Sequence, residues 1–445
     1  MTRPLHAIVD YEDPYVQPII LSALESQLGS TCTIHTDTST LPKDARLLQI
    51  RSYETLDFEH ALSSPTNTSQ INAYIIRKAL IRKHYLSNLV HHYTAKHPDS
   101  ALSKHFKPAE DFELDYAEFL DDALVECFEL RASLERNEGA TAEEAREWWI
   151  LKPGMSDRGQ GIRLFSSEEE LQEIFEGWEE DENDEDDEEV ESDDREDGDG
   201  DAGESASADA DGDHIVTSHL RHFLVQPYID PPLLIPAAPF GNRKFHIRTY
   251  VVAVGALRVY VYTHMLALFA SNPYSPPGLF SSTEDSIDDE GDLLERMRNI
   301  HLTNTCVQKT LGHENTDEDN VYLFSKLPLP KEVYNSIIQQ IHDTTSDLFR
   351  AAASQPTNFQ ALPNAFEVFG LDFLVDSAHN AWLLEVNAFP DFKQTGEELK
   401  EVVIKGLWED VVKVAVSPHF GVGDIEAQKG TERLVQVLDL DMGRG

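Results

Sequence analysis

Asp372, Glu385 and Asn387 are the residues of this 445-residue chain whose types and spacing could do chemistry together. They fall in the stretch 366–387, where two runs rich in Val, Leu, Phe and Trp flank a polar Asp376-Ser-Ala-His-Asn380 turn, the pattern of a β-hairpin. With the turn centred near Ala378, Asp372 faces Glu385 across the strand pair, and Asn387, two residues on, shares the face of Glu385. Phe373, Val375, Trp382, Leu384 and Val386 are predicted to line the opposite, apolar face. Oxygen donors so arranged suit Mg²⁺, which takes one or two carboxylates and completes its octahedron with water and nucleotide phosphates. Asp and Glu are depleted in strands and rarely sit inside runs this apolar, which favours a site over a solvated surface hairpin. A slip of one residue would send Asp372 to the other face, so register is the crux.

A second loaded stretch is 148–165, which reads as strand, glycine-containing loop, strand. Ile162-Arg-Leu-Phe165 does not open a helix, and this excludes both a Walker loop and a Rossmann fingerprint, which need a strand-to-helix turn. What remains is a hairpin loop in which Gly154, Gly159 and Gly161 let backbone amides approach phosphate oxygens. Lys152 can meet those oxygens as a point charge from the strand end, and Arg158 can do so from the loop. In the strand candidate 241–254, Lys244, His246, Arg248 and Tyr250 alternate with Phe245, Ile247, Thr249 and Val251, so one face is polar. The apolar content of this strand and the next, 257–262, favours burial of one face and a cleft over the other. Thr303 and Asn304 add a polar loop in 301–309.

The elements that must position these groups follow from periodicity. Strands at 5–9 and 46–50 and a helix over 16–28 predict a small N-terminal α/β unit. A long helical pattern over 71–93 carries Arg77, Lys78, Arg82, Lys83 and His84, either a solvated face or a cationic cluster able to receive phosphates or an acidic peptide. Further helices are predicted over 113–136, with Phe119, Leu120, Leu124, Phe128 and Leu134 as its apolar residues, and over 331–352 and 397–416. The strand 223–229 is predicted to break at Pro231 and Pro232.

The formal net charge of -45 comes in good part from 179–213, a Glu/Asp run with a Gly/Ser/Ala-rich continuation that cannot bury enough apolar surface to offset its ordering entropy. It is predicted to be a disordered insertion, and about 281–292 a second acidic loop. Such a balance argues against direct binding of duplex nucleic acid, and an acidic protein partner would need a local basic groove. Cys32, Cys127 and Cys306 are isolated thiols suited to a reduced compartment. With no signal-peptide pattern and no apolar run long enough for a membrane, the expectation is a soluble protein, cytoplasmic or nuclear, assigned to the cytoplasm.

Taken in order, Ile81-Arg-Lys83, Lys152 with Arg158-Gly-Gln-Gly-Ile162, Val225-Gln-Pro-Tyr-Ile229, Arg243-Lys-Phe-His-Ile-Arg248, His301-Leu-Thr-Asn304, Phe369-Gly-Leu-Asp372 and Leu384-Glu-Val-Asn387 resemble the tubulin-tyrosine ligase family. The resemblance spans 70–396 outside the acidic inserts, and the tail 388–396 looks closest to a fungal branch associated with mRNA-processing bodies. It implies an α/β (α+β) chain: an ATP-grasp fold with an antiparallel sheet as catalytic core, preceded by a small N-terminal α/β domain. The chain is accordingly divided at 1–68, 69–225 with the glycine loop, and 226–430 with the metal site.

The chemistry implied by the resemblance is ATP- and Mg²⁺-dependent. A protein carboxylate is phosphorylated, and the amine of an amino acid attacks the acyl phosphate; the tubulin C-terminal tail is the favoured acceptor. Asp372, Glu385 and Asn387 would hold Mg²⁺, while Lys152 and Lys83 would contact the phosphates under a loop containing Arg158, Gly159 and Gly161. Gln226, Pro227, Tyr228 and Ile229 would pair with adenine through backbone groups, with Lys244 and His246 beside the nucleotide. Arg248 would bind the acceptor carboxylate or the amino acid, next to Thr303 and Asn304; Lys152, Arg248 and Glu385 are the catalytic set. Two positions depart from the family pattern: Pro227 for Lys, which keeps its carbonyl acceptor, and His246 for Asp, which exchanges an anion for an imidazole. From another class, the chain could be a nucleotide-binding interaction module of RNA-processing bodies with little or no turnover.

Overall fold

The computed structural model describes residues 4–35, 41, 42, 45–140, 146–154, 161–188, 222–279, 290–303, 320–423 and 426–440. At the N-terminus, β1 (Leu5–Asp10), α1 (Gln17–Leu28), β2 (Cys32–His35), β3 (Arg46–Arg51) and β4 (Ser69–Ile71) build a parallel sheet in the order β2-β1-β3-β4. Leu5, Ala7 and Val9 pack with Ile19, Ile20, Ala23 and Leu24 of α1, and Gly29, at φ 49°, ends that helix. Ile71 bridges to Ala365, which fastens this sheet to the C-terminal one.

The helical pattern over 71–93 is interrupted in the structure. Tyr74 donates its N–H to the Glu367 carboxylate, a helical turn spans Lys78–Ile81, and Arg82 is extended before α2 (Lys83–Lys96). Ile71 is committed to strand pairing, so helix begins only after the chain has left the sheet. The helix predicted over 113–136 is likewise broken: β5 (Glu110–Glu113) pairs with a later strand, short turns fill 117–126, and α3 is confined to Phe128–Glu138. Leu120, Leu124 and Leu134 are buried as the spacing requires, whereas Phe119 and Phe128 are exposed because the chain redirects at Cys127.

The middle sheet joins β5 to β6 (Trp149–Pro153), β7 (Arg163–Phe165) and β8 (His222–Pro227), antiparallel in the order β5-β8-β6-β7. α4 (Glu168–Glu188) covers it with Leu171, Phe175 and Trp178. The acidic insertion therefore begins as helix: nucleated by these buried residues, α4 continues through 179–188. The rest of 179–213 lies outside the described residues.

The third sheet is antiparallel throughout: β9 (Arg243–Val254), β10 (Arg258–Tyr262), β11 (Leu266–Pro273), β12 (Val321–Leu323), β13 (Phe366–Val375), β14 (Ala381–Ala388) and β15 (Leu434–Asp439). The long strand β9 pairs with β13 along one edge and with β11 and then β10 along the other. The helix α5 (Glu290–His301) takes up the end of the second acidic stretch, of which 281–289 is outside the described residues. On one face α6 (Lys331–Ala353) buries Ile337, Ile341, Leu348 and Phe349 against Phe369 and Phe373. On the other, the helical run 396–420 sets Trp408, Val411 and Val412 against Tyr250, Val252 and Tyr262. Among the described residues no helix is long and apolar enough to cross a membrane.

Candidate active site

The hairpin forms in the expected register. Asp372 pairs with Glu385 and Gly370 with Asn387, and Asp376 closes the turn by accepting the N–H groups of Ala378 and Asn380. Asn387 Nδ2 lies 3.3 Å from both Asp372 Oδ2 and Glu385 Oε1, so the amide bridges the two carboxylates. A half-turn of that amide presents its oxygen to the same point, giving two carboxylates and a carbonyl around one position. This donor set fits a hard divalent cation.

The apolar face differs from expectation at one point. Phe373 pairs with Leu383, so Leu384 is an extra residue, a β-bulge between two paired positions. Leu384 and Glu385 consequently both line the cleft, and Trp382 joins Leu374 on that side. The core is filled by Leu383 with Phe373, Val375 and Val386. Strict alternation cannot anticipate a bulge.

The polar face of β9 closes over the same space, with Lys244, His246 and Arg248 all buried. Arg248 forks onto Asp372, Nε to Oδ1 at 2.5 Å and Nη2 to Oδ2 at 3.0 Å. Gly370 makes room for it: a Cβ there would stand 3.3 Å from Arg248 Cδ and 2.9 Å from Pro390. Burial opposes the charge of Arg248, but Asp372 outweighs it and holds the guanidinium above its ordinary value. Burial, reinforced by Arg248, pushes His246 down to about 3, so the imidazole is neutral. Its Nδ1 lies 2.6 Å from Thr303 Oγ1. Lys244 donates to Tyr228 Oη at 2.9 Å, and burial together with the charge of Lys152 lowers it to about 7.

The opposite wall comes from the middle sheet. Lys152 donates to Gln226 Oε1 at 2.9 Å, and Gln226 is anchored in turn by donating to the Lys107 carbonyl. Burial lowers Lys152 to about 8; Glu385 opposes that shift and Lys83, at the start of α2, adds to it. Gln226, Pro227, Tyr228 and Ile229 line the cleft, as does Ile162, next to Gly161 at φ 67°. The Tyr228 N–H is committed to the Trp148 carbonyl at 2.8 Å. Arg158, Gly159 and Asn304 lie outside the described residues.

The resulting cleft brings Lys152, the 226–229 segment, Lys244, His246, Thr303, Asp372 and Glu385 together. Sequence reasoning missed His301, whose Nδ1 is 2.8 Å from Tyr228 Oη, and the apolar lining of Ile150, Leu302, Leu374 and Leu384. His301 opened the motif that supplied Thr303, so its position was in view; its bond to Tyr228 was not. An apolar lining, an amine on each wall and the carboxylates of the hairpin can seat a base and neutralise a polyphosphate.

The model of the tubulin-tyrosine ligase family matches residues 62–422. The chain is 44% identical over 402 residues to the probable tubulin–tyrosine ligase PBY1 of Saccharomyces cerevisiae, covering 89% of this chain and 49% of that protein. It is 42% identical over 419 residues to a probable tubulin–tyrosine ligase of Schizosaccharomyces pombe, covering 94% of this chain and 93% of that one. It thus spans about half the length of the first relative and nearly all of the second. Among solved structures, the C-terminal domain from K. lactis Pby1, an ATP-grasp enzyme interacting with the mRNA decapping enzyme Dcp2, superposes with a TM-score of 0.68 at 35% identity. The match covers 98% of this chain and 99% of that one. The fold is the expected one, an ATP-grasp sheet behind a small N-terminal α/β unit.

Proposed function

We propose that this chain, which belongs to the tubulin-tyrosine ligase family, is an ATP- and Mg²⁺-dependent ligase joining an amino acid to a protein carboxylate through an acyl phosphate. The observation that carries the reading is the facing of Asp372 and Glu385, bridged by Asn387 and flanked by buried Lys244 on the neighbouring strand, across a cleft from buried Lys152. A carboxylate is a poor acyl donor because oxide would have to leave; phosphate is a stable leaving group. Catalysis is then chiefly positioning and neutralisation of charge.

In this reading Asp372, Glu385 and Asn387 hold Mg²⁺, which when bound screens the charge on the transferring phosphoryl group. Lys152, kept in place by Gln226, and Lys83 meet the phosphates, and the 226–229 segment receives adenine. Lys244 and His246 stand beside the nucleotide. Arg248 fixes the orientation of Asp372 and is the group offered to the acceptor or amino-acid carboxylate, beside Thr303 and Asn304. Residues 69–225 and 226–430 are the two parts that close on the nucleotide, and the glycine loop with Arg158, Gly159 and Gly161 shields the acyl phosphate from water. The acceptor we favour is the acidic tubulin C-terminal tail, in the cytoplasm.

The test is mass spectrometry of purified tubulin and of cell extract after incubation with the protein, ATP, Mg²⁺ and mixed amino acids. A protein that gains the mass of an amino acid supports the ligase. The second reading, a nucleotide-binding module that acts by recruiting a partner, is favoured by the K. lactis relative's interaction with Dcp2. It would be supported by nucleotide-induced thermal stabilisation with no mass gain in any protein.

A further inference from the structure

We propose that the turns over 116–128, at the β5 edge of the middle sheet, form a docking surface for an amphipathic peptide segment of a partner protein, its apolar side chains flanked by Lys and Arg. This surface is separate from the cleft and does not rest on the ligase reading.

Apolar residues exposed singly are common on soluble proteins and need no explanation. Here, of the seven large apolar side chains exposed among the described residues, Tyr116, Phe119, Val125 and Phe128 fall in one stretch of chain, with Tyr116 61% and Phe128 73% exposed. The Tyr116 and Phe119 rings meet edge to face, their centroids 6.2 Å apart, and so form one platform. The stretch has no room to fold them inward. Ala117, Leu120, Leu124 and Cys127 already occupy its buried side, in the cluster that Phe112, Phe175 and Trp178 fill. The Ala117 N–H is held besides by the Glu179 carboxylate of α4. Aromatic rings presented rigidly to solvent are the anchors that protein interfaces favour.

Charge selects the partner. Between Lys107 and Arg131 the sequence contains no Lys, Arg or His. Interleaved with the four apolar residues are Asp115, Glu118, Asp121, Asp122 and Glu126, all exposed. Asp121 is also hydrogen-bonded to the Glu168 carboxyl and raises it above its ordinary value, so like charges are already crowded there. Nucleic acid and an anionic membrane would both be repelled. An Arg or Lys side chain gains twice, from these carboxylates and from the faces of Tyr116 and Phe119, and an apolar residue between two such cations covers the rings. Residues 110–130 contribute nothing to the lining of the cleft, so an occupant leaves nucleotide access open.

The experiment titrates the full chain into a short fluorescein-labelled peptide of Leu, Lys and Arg in amphipathic order and reads fluorescence anisotropy. The peptide is expected to bind, and a companion with Glu at every Lys and Arg position is not. Phe119→Ser, and separately Asp121→Asn with Asp122→Asn, should each weaken the peptide on the order of 10-fold with unchanged melting temperature. Glu332→Gln with Glu398→Gln removes as much charge elsewhere on the surface and should leave the affinity as it was. Hydrogen exchange of the wild-type protein needs no variant to fold, and the peptide should protect 114–130. Failure of the cationic peptide to bind in low salt overturns the proposal. So does binding that leaves 114–130 unprotected or that falls equally in the Glu332 and Glu398 variant, since bulk charge then accounts for it. Displacement of the peptide by an ATP analogue would put it in the cleft and overturn the proposal too. Self-association of the wild-type protein that Phe119→Ser abolishes would make a second copy of this chain the occupant, against the partner proposed.

Discussion

Glu385 is the residue on which the proposed chemistry is most exposed. It faces Asp372 across the hairpin and shares the Asn387 amide, so its carboxylate cannot be replaced by a neutral isostere without halving the ionised charge of the donor set. Glu385→Gln is expected to cut ligase turnover by at least about 100-fold with unchanged circular dichroism and melting temperature; retained turnover would exclude the metal assignment. The two buried lysines carry a second prediction. Lys152 is lowered to about 8 and Lys244 to about 7, chiefly by burial, so Lys244 loses its proton around neutral pH and Lys152 just above it, while an exposed lysine would keep its own. Phosphates bind the protonated amines, and affinity for a non-hydrolysable ATP analogue should therefore fall as pH rises through these values, by up to about 10-fold per unit for each amine. Calorimetry of wild type against Lys152→Met separates the lysine from titration of the phosphate itself. Parallel curves for the two proteins would mean that Lys152 does not meet the nucleotide.

Between elements, the contact that ties the N-terminal sheet to the catalytic hairpin is a buried ion pair. Arg77, which follows β4, puts Nε 3.0 Å from Glu367 Oε1 on β13 and stacks its guanidinium 3.8 Å from the Tyr53 ring, with Phe389 beyond the end of β14 on its other flank. Burial raises Glu367 to about 7, and Arg77 opposes that shift. A carboxyl raised above its unfolded value of 4.5 contributes stability that is full below that value and is lost as pH climbs through the folded one. Arg77→Met leaves the carboxylate unpaired and should cost about 3 kcal/mol. The loss should be larger at alkaline pH, where Glu367 must carry its charge, than in mild acid, where it can protonate. Urea unfolding at the two pH values checks this, and an equal loss at both would show that Arg77 acts by packing alone. The pair was not legible in the sequence, where Arg77 read as one member of a cationic helix face. Local periodicity cannot see that Ile71 is consumed by a bridge to Ala365 and that Arg77 must then turn inward. The hairpin was legible, because Asp376 to Asn380 and the alternation on either side specify register by themselves. So was the polar face of β9, which holds its period along its whole length. Leu384 escaped because one extra residue inverts the alternation, and the fork from Arg248 to Asp372 escaped because strand neighbours distant in sequence leave no local trace.

At the scale of the whole molecule the dominant feature is a net charge of -45 on a protein proposed to receive an acidic peptide. Exposed charges act at a distance of about 10 Å in 0.1 M salt, so the acidic run is felt well beyond the residues it touches. Arg82 and Lys83, at the head of α2, and Lys152 and Lys244 in the cleft form the local positive ground within that field. Approach of an anionic acceptor must then be slowed by the rest of the chain and rescued near the site. Removing 189–213, rich in Asp and Glu, should take away repulsion and leaves in place every residue named above as lining the cleft. The truncated protein is expected to keep its affinity for nucleotide. Its KM for an acidic acceptor peptide should fall relative to the full chain in low salt, and the difference should vanish near about 1 M, where screening reaches about 3 Å. Steady-state kinetics across a salt series reads this directly. A KM that rises on truncation, with nucleotide affinity intact, would mean that the acidic segment recruits the acceptor's carrier instead of repelling the acceptor.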